Sequence, residues 1–300
     1  MKCLVLILWF GCLAAQNARY VTYDFSHGRF GDNLISYLHA KWYAHQEGIP
    51  LIYKPFPHSA ALVLHDQEMR YEQLPVEGRL RALLGSGRSN RLPLNTSIVY
   101  ICPYFPENRA EWNDPRYTFK FDVDWKNVEF RAQARAMLAP RKPLECVKPP
   151  EGTTSIAIHV REGGGYDVPT AHLEDPLKFP PLSFYQACLA QALEQIRGQP
   201  VYCHVFTDAL HPEPIVNALQ DAVKHTGSIT FDWRKQNNGP HTHILEDFFS
   251  LFEFDILIRP QSNFSIVPSL LKDYLLVYSP VAFSIAGSVV TIDQIQVERN

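Results

Sequence analysis

Three short stretches carry side chains whose types and spacing suit the handling of a phosphorylated ligand. The first is Gly28-Arg29-Phe30-Gly31-Asp32-Asn33. Its glycines permit close backbone approach, and a helix starting there offers unpaired N–H groups to an anion. No Lys-Ser/Thr follows and the third glycine of a dinucleotide fingerprint is missing. Taken alone, the stretch reads equally as a strand-to-helix turn capped by Asp32. The second is His159-Val160-Arg161-Glu162-Gly163-Gly164-Gly165-Tyr166. At the two-residue period of a strand, His159 and Arg161 point to one side. A planar guanidinium is suited to a diphosphate through paired, charge-assisted hydrogen bonds. A polar pair ending a buried strand is costly without partners, which favours a site over a surface ion pair. The third is Ser262-Asn263-Phe264-Ser265. Its hydroxyls and amide suit a helix cap, a phosphate cradle at a helix N-terminus, or both.

The elements that must position these residues alternate. Tyr20 to Phe25 is β-branched and aromatic, so it reads as a strand. The glycine turn follows, then Leu34, Ile35, Leu38 and Trp42 at helical spacing, which is the opening of a Rossmann-like unit. Residues 50–54 and 97–104 read as further strands, 55–93 as helix and loop, and 128–138 as a helix. Pro140, Pro143, Pro149, Pro150 and Gly152 then mark an interdomain linker. Beyond it, strands are expected at 155–160, 201–207, 229–233 and 254–258, with helices at 181–196, 213–224, 245–253 and 265–272. Such alternation predicts a parallel sheet covered on both faces, with ligands beyond the carboxyl ends of its strands. The expected class is α/β: two Rossmann-like lobes, residues 16–150 and 151–300, with a central cleft.

The 300-residue chain is 46% hydrophobic and carries a formal charge of −3. That is ample for a large core and gives no electrostatic reason to bind nucleic acid. Lys2, the apolar run Cys3–Leu13 and the small residues after it read as a signal peptide spanning 1–15. The run is short for a membrane span, so an exported or secretory-lumen protein is expected, or a cytoplasmic one if the run is not a signal. Cys102, Cys146, Cys188 and Cys203 either form two bridges or stay as buried thiols. His241-x-His243 with Glu246 and Asp247 reads as a solvated loop rather than a metal site. Asn95-Thr96-Ser97 is a glycosylation sequon in a eukaryotic secretory route, and Asn263-Phe264-Ser265 also matches the pattern but lies in the proposed pocket.

The order of glycine turn, His-x-Arg loop and Ser-rich turn resembles the α-1,2-, α-1,6- and protein O-fucosyltransferases. Phe206-Thr207-Asp208 and Glu246-Asp247-Phe248-Phe249 are similar to segments of the same families. The resemblance spans about Tyr20 to Leu276 and is specific only in these islands. It implies a GT-B fold, a GDP-fucose donor, inversion at the anomeric carbon and no metal or other cofactor. It also implies a glycan or glycoprotein acceptor. By that likeness Arg161 holds the β-phosphate, His159 shapes the same pocket, Asp208 and Asp247 contact the nucleoside, and Ser262, Asn263, Phe264 and Ser265 line the diphosphate. Asp32 is the first candidate for the base that activates the acceptor, followed by Glu162 and Asp167. The chain departs from the family pattern in Asp32, Asn33 and Glu162, where Asn, Gln and often a second Arg are usual. Those departures leave room for another GDP-sugar donor, or for a non-catalytic carbohydrate-binding protein on the same fold.

Overall fold

A computed structural model of the chain describes residues 19–24, 28–70, 80–83, 98–102, 123–163, 171–225 and 228–299, with backbone alone at 80–83 and 171. The signal segment, the Asn95 sequon, Gly164, Gly165, Tyr166 and Asp167 lie outside the described residues. The chain divides into two compact units, Met1–Pro143 and Leu144–Asn300.

In the first unit, β1 (Arg19–Tyr23), β4 (Leu80–Leu83) and β5 (Ile98–Cys102) form a parallel sheet with β5 in the middle. The segment expected as helix and loop holds more strand than its composition suggests. It contains β4, and it contains β3 (Met69–Arg70), which pairs in parallel with β2 (Ile52–Tyr53). Between them lie a 3-10 turn at Ser59–Ala61 and the short α2 (Leu64–Gln67). Helix α1 (Phe30–Glu47) buries Leu34, Ile35, Leu38 and Trp42, the residues whose spacing marks the helix, and ends at Gly48 in the left-handed conformation, φ 61°. Its polar side chains are also engaged: the Tyr37 hydroxyl and Lys41 ammonium both reach Glu68 Oε1, at 2.8 and 2.6 Å. Trp42 and Trp125 pack around Phe130 of α3 (Val128–Leu138), whose first turn is capped by the Asn127 side chain.

No helix or strand interrupts 141–153. The second unit is built on six strands in the order β11-β10-β9-β6-β7-β8. They are β6 (Thr154–Val160), β7 (Val201–Thr207), β8 (Ile229–Trp233), β9 (Ile256–Ile258), β10 (Leu276–Ala286) and β11 (Val289–Glu298). All pairs are parallel except β10 with β11, a hairpin at the sheet edge. One face packs Ile156, Ile158, Val205 and Ile258 against α5 (Leu182–Gln195) and α6 (Glu213–Val223). The other packs Ala157, Phe206 and Leu257 against Leu251, Phe254 and Phe264. These last come from the layer of α7 (Ile244–Ser250), a 3-10 turn (Leu251–Glu253) and α8 (Asn263–Leu271). Burial on both faces explains why β6 and β9 read as unbroken apolar runs. The remaining short helix is α4 (Ala171–Glu174). The four cysteines expected to survive processing are all free thiols, and burial holds those of Cys188 and Cys203 well above the usual thiol range.

Candidate functional site

The carboxyl edge of the second unit's parallel sheet is charged in a regular way. The first residue beyond each of four neighbouring strands is ionic: Arg161 after β6, Asp208 after β7, Arg234 after β8 and Arg259 after β9. The strands themselves are apolar, so these are the first positions where a charge escapes the sheet core. Only Arg161 and Asp208 were singled out by motif; Arg234 and Arg259 sit in no recognisable pattern, and their signal is the strand end alone.

His159 is buried near the end of β6, and its Nδ1 lies 2.8 Å from Ser265 Oγ. The Ser265 hydroxyl donates to the Ser262 carbonyl at 3.3 Å, so the Ser265 oxygen accepts from His159 Nδ1–H. Phe264 lies against the imidazole, ring centres 5.3 Å apart. The His-x-Arg loop and the Ser-rich turn are thus one assembly, joined across 106 residues. Ser262 is the buried N-cap residue of α8, yet its side chain makes no capping hydrogen bond, so its hydroxyl is not spent on the helix. Asn263 opens the helix itself.

Arg161 is buried, with Nε 3.0 Å from Asp208 Oδ2 and its guanidinium 5.3 Å above the Phe179 ring. The other Asp208 oxygen accepts the Glu162 backbone N–H at 2.9 Å. Asp208 is therefore a clamp on both Arg161 and the loop that follows it. Glu162 is exposed, and partial burial with the nearby Asp208 charge raises its carboxyl above the usual range. Gly163 has φ 114°, a backbone state that L side chains rarely adopt.

Asp247 lies in the first turn of α7, with Oδ1 2.6 Å from Arg234 Nη2. Burial raises its carboxyl despite that pairing, which opposes the shift. Both residues line a small pocket with His204, Thr207, Pro212 and Asn238, beyond the ends of β7 and β8. His204 is buried beside Tyr202 and Asp232; burial lowers its imidazole to about 4, so the pocket wall is neutral there. Among the described residues no group of three or more His, Cys, Asp and Glu side chains is arranged to hold a metal ion.

The glycine turn belongs to the first unit. Asp32 Oδ2 accepts the Arg29 backbone N–H at 3.2 Å, and the Asn33 amide donates to the carbonyls of Gly28 and Arg29. Phe30 packs against Phe56 and His58. A Cβ on Gly28 would stand 2.0 Å from Asp32 Oδ2, so this glycine makes room for the carboxylate. Gly31 is buried in the first turn of α1. Here Asp32 and Asn33 build the entrance to α1.

No family model and no curated protein matches the chain in sequence. Solved structures do match. A mutant of Arabidopsis thaliana FUT1 in complex with GDP aligns over 90% of this chain and 73% of its own, at 13% identity and a TM-score of 0.53. The fucosyltransferase NodZ from Bradyrhizobium aligns over 94% and 99%, at 14% identity and a TM-score of 0.49. POFUT1 in complex with GDP-fucose aligns over 86% and 95%, at 11% identity and a TM-score of 0.42. The fold is an α/β fold of the GT-B glycosyltransferase class.

Proposed function

We propose that the protein is an inverting, metal-independent glycosyltransferase that moves a sugar, fucose in the first instance, from a GDP-sugar to a glycan or glycoprotein. The observation that carries this reading is the joined His159–Ser265 assembly beside the clamped Arg161 at the carboxyl edge of the sheet. In the reaction the bond between the anomeric carbon and the β-phosphate oxygen breaks, and the acceptor hydroxyl oxygen bonds to that carbon from the opposite face. Negative charge grows on the GDP oxygens as the bond breaks. A guanidinium already held by Asp208 and Phe179 stabilises it without reorganising. The arginines of this edge supply the positive charge that a divalent cation provides in other transferases. The acceptor proton leaves to a carboxylate, with Asp32, Glu162 and Asp167 as the candidates in that order. Ser262 and the first turn of α8 contribute hydroxyl and N–H donors to the diphosphate. The N-terminal apolar run directs the chain to a lumen supplied with GDP-sugars.

The test is turnover of GDP-fucose by Arg161→Lys and Arg161→Ala. Each is expected to lower the rate by about 10²-fold or more, the scale of losing one preorganised donor. Near-normal turnover of the lysine variant overturns the paired-bond role of Arg161. A panel with GDP-mannose and UDP-sugars separates fucose from another donor.

A further inference from the structure

We propose that Arg259 is a second guanidinium of the donor site, built to receive the diphosphate of a nucleoside-diphosphate sugar. The proposal rests on the GDP-sugar reading above and adds a binding residue to it. Three arginines lie at the edge of the second unit's sheet. Arg161 is matched by Asp208 and Arg234 by Asp247. Arg259 has no carboxylate within ion-pair distance among the described residues, although it is only 7% exposed.

Its hydrogen bonds are poor for a cation. Nη1 donates to the Pro260 carbonyl at 3.3 Å and to Gln261 Oε1 at 3.5 Å. Charge-assisted N–H···O bonds are normally nearer to about 2.8 Å. Its Nε is buried without a hydrogen-bond partner among the described residues, as are those of Arg161 and Arg234, but only Arg259 of the three also has no ion pair among them. A guanidinium has five N–H donors in a fixed fork, so most of this one's capacity is unused. Burial lowers its pKa to about 10, outweighing the opposing influence of Glu298 and Tyr274. Such an arrangement is costly to the fold unless something else supplies the negative charge.

The location says what that is. Ile258 pairs with Ile158 across β9 and β6, so the next position along sets Arg259 opposite His159. Leu257 and Ala157 share one face of the sheet, and Arg259 and His159 continue that face. The Arg259 fork lies against the Pro260–Gln261 turn that leads into α8. The Gln261 side chain is itself fixed by donation to the Pro280 carbonyl at 3.0 Å. The unspent Ser262 hydroxyl follows one residue later. An anion held by His159, Ser262 and the start of α8 therefore has Arg259 as a neighbour. A diphosphate has enough oxygens to engage both Arg161 and Arg259, which leave β6 and β9, adjacent strands of the sheet.

The test is calorimetric titration of the full chain and of its R259M and R259K variants with GDP, GMP, guanosine and inorganic pyrophosphate, alongside thermal melts. R259M is expected to weaken GDP and pyrophosphate by about 10- to 100-fold, the range for one hydrogen-bonded charge contact. Guanosine affinity should stay unchanged, and the ligand-free R259M protein should melt no lower than the wild type. R259K should recover part of the loss. Should R259M fail to fold, R259K carries the same comparison between GDP and guanosine. Unchanged GDP affinity in a folded variant overturns the proposal and leaves the GDP-sugar reading standing. A lower melting temperature with an intact GDP response assigns Arg259 to the fold and also overturns it. If the wild type binds pyrophosphate through Arg259 but ignores GDP, the anion site stands and the GDP-sugar reading falls. If the wild type binds neither, both fall.

Discussion

At the scale of single residues, the site is governed by how each charge is neutralised. Arg161 is held by a carboxylate, a ring face and its own burial, so it is oriented before any ligand arrives. Orientation of this kind, more than charge alone, separates arginine from lysine at a diphosphate. His204 shows the opposite strategy, since its wall of the pocket is kept neutral. Its imidazole titrates near 6.5 when unfolded and at about 4 in the folded chain. Between those values the unfolded state binds the extra proton. Stability from this residue is therefore complete above about pH 6.5 and is lost as pH falls toward 4. The loss between about pH 7 and pH 5 is on the order of 2 kcal/mol for a histidine this buried. His204→Phe removes the titration. Urea melts at the two pH values should differ less for the variant than for the wild type. Equal pH dependence in the two would show that His204 titrates normally.

At the scale of elements, strand and helix positions in the second unit were legible because periodicity and alternation agree there. The α5, α6 and α8 helices and strands β6 to β9 fall within a few residues of the places their patterns indicate. Arg161 was legible for the same reason, being the polar end of an unbroken apolar strand. The 55–93 segment was not, because β3 and β4 are too short to show a period. The β10–β11 hairpin carried no motif, and its outer half is exposed on both faces, which erases the alternation that marks a half-buried strand. Arg259 was missed because its proposed role rests on the lack of a carboxylate partner among the described residues, which only packing reveals. The glycine turn was legible as a turn, and the structure adds a mechanism. Gly28 leaves space for the Asp32 carboxylate that caps Arg29 N–H. Gly28→Ala should displace that carboxylate and cost about as much as Asp32→Ala, roughly 1 kcal/mol, the usual value of a lost N-terminal cap. Denaturant midpoints of the two variants should drop together. Asp32→Asn keeps an acceptor for the same N–H, so its stability should hold. A fall in its turnover then assigns the base to Asp32, and unharmed turnover removes it from that role.

At the scale of the whole molecule, net charge and site charge have opposite signs. A chain of −3 repels a nucleotide weakly at long range, while a local edge of three arginines attracts it at short range. The attraction lies within a Debye length at physiological salt, so GDP affinity should fall as ionic strength rises. A ligand that binds only the folded chain also stabilises it by mass action. At a hundredfold excess over its dissociation constant the gain is about 2.7 kcal/mol. For a chain of this size that is worth roughly 5 °C in melting temperature. Melts with GDP should therefore rise by several degrees, while UDP at the same concentration should give a much smaller rise. On the proposal that guanidinium groups supply the positive charge, EDTA should leave the GDP shift unchanged, and added magnesium should not enlarge it. A GDP shift abolished by EDTA would transfer the neutralising role from Arg161 and its neighbours to a metal ion. A larger shift with UDP would reassign the donor base from guanine to uracil.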